Sequence, residues 1–214
     1  MKSILANAFN LFNEHSGWIV WNLFLAFIPL VLSFLLFRWH HRKISSVWWI
    51  GLIVFIAFLP NTAYLLTDII HLIEAIRAGY SIWITTLIFI PLHLFAIFLG
   101  WEAYVVSVIN QSSYLSRQGA KKFVFASEIL THAVSAAGIY LGRFLRFNSW
   151  DLVTQPNVVF MSAIDNLTER KPLLVIVITF IILSVFYWFT KQITLGTVLR
   201  IRSIKKLPVD DWKL

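Results

Sequence analysis

An all-α fold is predicted: a polytopic membrane helical bundle of about five transmembrane helices with interfacial helices beside them. Three observations predict it. Hydrophobic residues make up 59% of the 214-residue chain and charged residues 13%, against about 45–50% and about 25% in soluble proteins. The apolar residues are concentrated in runs long enough to cross a hydrocarbon core, which takes about 20 helical residues. Ten Trp and nineteen Phe residues supply bulk that suits lipid and its interfaces.

The first span is residues 18–37, stopped by the basic run that starts at Arg38. The second, 47–66, reaches spanning length only by running past Pro60, which removes a backbone donor and predicts a kink. The third, 82–109, contains Pro91 and is longer than the core requires, so it must tilt, bend or project. The fourth is 123–145, and the fifth, 173–189, has no charge. Residues 65–79 continue the second span along the interface. A second interfacial helix covers 156–167, with Val158, Met161, Ile164 and Leu167 at helical spacing. The opening segment MKSILANAFNLFNEHSGW lacks the uninterrupted apolar region of a signal peptide and reads as a retained amphipathic lead. No repeat or linker divides the chain, so residues 1–214 read as one membrane domain.

The net charge of +8 sits in short segments between the apolar runs, where it meets anionic headgroups. Nucleic acid is not an expected partner, and membrane lipids are. With no Cys there is no disulfide or thiol chemistry. Five spans put twelve Lys and Arg residues on the side of the first loop, third loop and tail, and six on the other. That places the N-terminus outside and the C-terminus in the cytoplasm. The fourth loop breaks the pattern, because it is basic yet falls outside.

Polar residues inside spans are costly and therefore candidates for function. At 100° per residue, Asn61, Tyr64, Thr67, Asp68, His71 and Glu74 form one narrow stripe. It suits either an interfacial helix wetting its polar face or a cleft in which Asp68 orients His71 as a base. Asp68 and His71 alone are too few for a metal site. On the fourth span Glu128, His132, Ser135, Ile139, Arg143 and Arg146 share a face, with Gly138 and Gly142 beside it. That face is either a packed seam or a polar track. Glu102 on the third span is expected to pair with His132 or Glu128, and Asn22 to bond across helices. Arg143 and Arg146, three apart at a helix end, suit a phosphate clamp or headgroup snorkelling. Asn148, Ser149 and Asp151 turn the chain and cap the next segment. No hydrolase, kinase, P-loop or zincin motif is present, and the sequon at Asn166 is a weak signal.

The runs Phe58-Leu-Pro-Asn-Thr-Ala-Tyr-Leu-Leu-Thr-Asp-Ile-Ile-His-Leu72, Gly100-Trp-Glu102 and Gly138-Ile-Tyr-Leu-Gly-Arg-Phe-Leu-Arg-Phe-Asn-Ser-Trp-Asp151 resemble the family grouped as domain of unknown function 1361. The resemblance implies a bacterial multi-pass protein of the cytoplasmic membrane. It supplies no activity, cofactor, protein partner or catalytic residue.

Three functional readings fit these residues. The first is an extracytoplasmic cleft for an anionic group such as a lipid phosphate, built from Asn61, Asp68, His71, Arg143, Arg146, Asn148 and Asp151. It requires Asp68 and Arg143 to converge. The second is a proton- or ion-coupled transporter component using Glu128 and His132. The third is a scaffold or partner subunit with every polar contact internally satisfied.

Overall fold

The computed structural model describes residues 2–39, 45–77 and 79–205, with side chains from residue 17 onward apart from 75, 153, 167 and 205. The loop cations Arg42 and Lys43 and the tail cations Lys206 and Lys213 lie outside the described residues.

The described residues are helical nearly throughout. Helix α1, Lys2–Ser33, runs into a π-helical turn, Phe34–Arg38. Helix α2, Ser46–Tyr64, passes through a 3-10 turn, Leu65–Asp68, into α3, Ile69–Arg77. A short α4, Ile82–Ile84, and a π turn, Thr85–Phe89, lead into α5, Ile90–Arg117. Then come α6, Val124–Phe144, the short α7, Asp151–Thr154, α8, Pro156–Thr168, and α9, Arg170–Lys205. Among the described residues five segments are long and apolar enough to cross a membrane: Gly17–Arg38, Ser46–Glu74, Ile82–Arg117, Lys121–Phe144 and Arg170–Ile204.

Local chemistry explains the boundaries. The Ser45 hydroxyl accepts from the Trp48 amide at 3.4 Å and caps α2. Pro60 and Pro91 each lack an amide donor and crowd the preceding turn. The first is followed by tightening to 3-10 geometry and the second is preceded by a π turn. The third span does not stop near residue 109. It continues to Arg117, where Arg117 donates to the Phe37 carbonyl and so ties α5 to the end of α1. Likewise α9 continues beyond Phe189, because Lys191 finds a carboxylate partner at Glu128.

Helix α5 is the buried centre. Its Tyr104, Val105 and Val108 are wholly buried with Phe55, Leu59 and Ala63 of α2, Ala136 of α6 and Leu183 of α9. The outer faces are the reverse of a soluble protein. Phe24, Val31, Ile53, Phe98, Ile181 and Phe186 all point outward. Continuous apolar surface of that kind is stable only against lipid. The chain is therefore a multi-pass membrane protein.

Two glycines bring helices together. A Cβ on Gly138 would stand 2.6 Å from Cγ of Pro60, so α6 lies directly against the proline ring of α2. A Cβ on Gly100 would stand 2.8 Å from the Leu65 side chain. Both are the close approaches that small residues permit in membranes.

Candidate functional site

The polar stripe of α2 and α3 meets the C-terminal end of α6. Arg143 donates through Nη2 to Asp68 Oδ1 at 2.9 Å and to Thr67 Oγ1 at 2.6 Å, and through Nε to the same hydroxyl at 3.2 Å. Its guanidinium lies over the Tyr64 ring, 4.5 Å from the centroid. The Asp68 side chain is 3% exposed and that of Arg143 17%. Asn22 of α1 donates to the other Asp68 oxygen at 3.2 Å, which is the cross-helix bond expected of it. Three helices are thus joined at one carboxylate. The Thr67 hydroxyl donates to the Tyr64 carbonyl, which orients its oxygen toward the guanidinium.

This geometry corrects the expected role of Asp68 beside His71. Asp68 is committed to Arg143 and Asn22. His71 Nδ1 instead meets Glu74 Oε2 at 3.1 Å, and its Nε2 faces Arg143 Nη1 at 3.4 Å. A guanidinium only donates, so Nε2 is the acceptor and Nδ1 carries the proton given to Glu74. The Trp18 ring packs on the imidazole at 4.7 Å.

Arg143 and Arg146 do not form the expected clamp on one helix face. Helix α6 ends at Phe144, and Arg146 takes a left-handed backbone with φ 59°. The chain folds back there, and the Phe147 amide donates to the Leu141 carbonyl at 3.2 Å. Arg143 is fully engaged, whereas Arg146 has no hydrogen-bond or ion-pair partner among the described residues. Asn61 donates to Ser149 at 2.7 Å, and Asp151 accepts from the Asn148 amide at 2.6 Å. These bonds pin the loop over the end of α2.

Beside this junction lies a cleft of about 710 Å³. One wall is apolar, with Leu25 from α1, Ile56 and Ala57 from α2, and Val134 and Ala137 from α6, and at the exposed Ile56 and Val134 it reaches the outer, lipid-facing surface of the bundle. Its mouth is polar, with Asn22, Asn61, Arg146, Asn148 and Ser149. Helices α7 and α8 add Leu152, Val159 and Phe160 as a side wall. The close contact of Gly138 with Pro60 forms the floor between α2 and α6. Asp68, His71, Arg143 and Asp151 stand beside the cleft and do not line it. The apolar wall was not among the expected site residues, because its members look like ordinary span residues in sequence.

The second stripe faces the other way, toward α5 and α9. One oxygen of Glu128 accepts from Ser112 at 2.6 Å, Lys191 at 2.7 Å and Tyr187 at 2.9 Å. His132 is buried, and its Nδ1 meets the Tyr104 hydroxyl at 2.7 Å. Glu102 is bonded to neither of these. It accepts from Thr194 of α9 at 2.7 Å, because its side of α5 meets α9, whereas Tyr104 and Ser112 of the same helix meet His132 and Glu128 of α6. Tyr187, Lys191 and Thr194 recur at helical spacing. That pattern is visible in sequence once α9 is allowed to run past Phe189. Among the described residues no three His, Asp or Glu side chains gather as a metal-ligand set.

No curated protein and no solved structure matches the chain. A family profile, described as Protein of unknown function (DUF1361), matches residues 21–185, a stretch that includes the Asn22–Asp68–Arg143 junction and every described residue lining the cleft, from Trp21 to Ala163. The chain therefore belongs to the DUF1361 family, as its Leu59-Pro60-Asn61, Thr67-Asp68 and Gly142–Arg146 motifs imply.

Proposed function

We propose that the protein binds an anionic amphiphile, a phosphate-bearing lipid, in the cleft between α1, α2, α6 and α7–α8. The observation that carries this reading is the polarity of the cleft. Its apolar wall, open to lipid at Ile56 and Val134, suits an acyl chain, and its mouth presents the Arg146 guanidinium, which has no partner among the described residues. A volume of about 710 Å³ falls in the usual range for small-molecule sites. The backbone of Arg146 adds support. A left-handed position favours Gly or Asn, and an Arg there bears a cost of about 1–2 kcal/mol. Strain of this kind points to a use for the side chain.

Asp68, Thr67 and Tyr64 hold Arg143 so that the end of α6 and its following loop stay over α2. In this reading they are positioning residues. For a reaction at the headgroup His71 remains the candidate base, with Glu74 taking the orienting place first expected of Asp68. The balance of Lys and Arg supports an extracytoplasmic position for the cleft mouth.

Native mass spectrometry of the full chain, released gently from its membrane, tests the reading. A bound phospholipid is expected on the wild type. Ala57→Phe, which fills the space at the apolar wall without altering charge, is expected to remove it. Adding millimolar inorganic phosphate distinguishes the sources of the anion. A lipid site keeps its lipid, whereas a site for free phosphate exchanges it. Equal lipid retention by wild type and Ala57→Phe, or an empty wild type, would overturn the proposal.

A further inference from the structure

We infer that the cleft selects a phosphodiester headgroup, singly charged and bearing hydroxyls, over a phosphomonoester dianion or a pyrophosphate. The inference rests on the lipid reading above and follows from counting charge at the mouth. Of the described residues lining the cleft, Arg146 alone is charged. Arg143 stands close by, but its charge is balanced by Asp68 at 2.9 Å. His71 faces Glu74. The remaining charged group beside the mouth is Asp151, which holds the Asn148 amide and repels a second negative charge. Among the described residues one free cation therefore meets the ligand, and one ligand charge is balanced.

Hydrogen-bonding capacity points to the rest of the headgroup. Asn61 uses an amide proton on Ser149, which leaves the Asn61 carbonyl oxygen and the Ser149 hydroxyl proton uncommitted. The Asn148 side chain is exposed at the same mouth and equally uncommitted. Together they offer acceptors and neutral donors, which a hydroxyl uses both ways. A dianion would use only the donors and leave the acceptors facing negative oxygens. A phosphodiester carries one charge at neutral pH. A phosphomonoester carries about −1.5 to −2 at pH 7, since its second proton leaves near pH 6.

The test uses the full chain in phosphatidylcholine nanodiscs containing equal fractions of phosphatidylglycerol and phosphatidic acid, with retained lipid identified by native mass spectrometry. At pH 7.5 phosphatidylglycerol is expected to be retained several-fold over phosphatidic acid. At pH 5, where the monoester regains its proton, the gap is expected to narrow. Arg146→Asn removes the charge while suiting the left-handed backbone, so the protein is expected to melt no lower than wild type yet lose the preference over phosphatidylcholine. Phosphatidic acid retained as well as phosphatidylglycerol at pH 7.5 would overturn the charge selection and leave lipid binding standing. No retention above phosphatidylcholine, or identical retention by Arg146→Asn, would remove both.

Discussion

Asp68→Leu is expected to be among the most destabilising single substitutions in the bundle, lowering stability by about 3 kcal/mol in detergent. Removing one partner of a buried ion pair typically costs roughly 3–5 kcal/mol. The lower end applies here because the Arg143 side chain is 17% exposed and can extend toward headgroups. The carboxylate also accepts from Asn22, so its loss frees α1 as well as α6. Arg143→Met strands the more deeply buried carboxylate and should cost as much. The double variant Asp68→Leu/Arg143→Met removes both charges and should be more stable than either single one. Thermal melting of all four proteins in one detergent checks this. Additive losses in the double variant would show that the pair is not a unit and that Arg143 has another anchor.

The second large effect is steric. Gly138→Ala places a Cβ 2.6 Å and 2.7 Å from two carbons of the Pro60 ring, which has no rotamer with which to retreat. Helices α2 and α6 must separate, and overpacking of this kind costs about 1–3 kcal/mol. Helix propensity alone would make the same change favourable by roughly 1 kcal/mol. Gly196 provides the internal control, because nothing lies within 4 Å of a Cβ added there in the middle of α9. Gly196→Ala should raise the melting temperature and Gly138→Ala should lower it. The same sign for both would mean that the α2–α6 contact is looser than described. Because Gly138 lines the cleft, its alanine variant should also retain less lipid than Gly196→Ala.

Membrane insertion and the spans are legible in the sequence because hydrocarbon thickness imposes a length, and composition alone reports it. Span ends are less legible, since a charge stops a predicted span whether or not it has a partner. Lys191 and Arg117 both lie within long helices because Glu128 and the Phe37 carbonyl receive them. At the site, helical periodicity places Asn61, Thr67, Asp68 and His71 on one stripe, and the structure brings Asp68 to Arg143. Periodicity carries no information about which helix faces that stripe. The pairing of Asp68 with Arg143, rather than with His71, depends on α6 approaching α2 through Gly138 and Gly142. Arg146 is misplaced by the same logic, because a helical wheel assumes that α6 continues where a left-handed residue has ended it. The apolar wall of the cleft is invisible for a different reason. Ile56, Ala57, Val134 and Ala137 have the chemistry of any lipid-facing residue, and only packing distinguishes a groove from a surface.

The proposed function requires a cleft mouth that is extracytoplasmic and that takes up lipid. The chain has no Cys, so a single introduced thiol reports without background. Asn148→Cys puts that thiol at the exposed mouth. It is expected to react with a membrane-impermeant maleimide in intact cells. In right-side-out vesicles it should react more slowly with phosphatidylglycerol present than in phosphatidylcholine alone. Labelling only after permeabilisation, or at a rate indifferent to the lipid, would contradict the account.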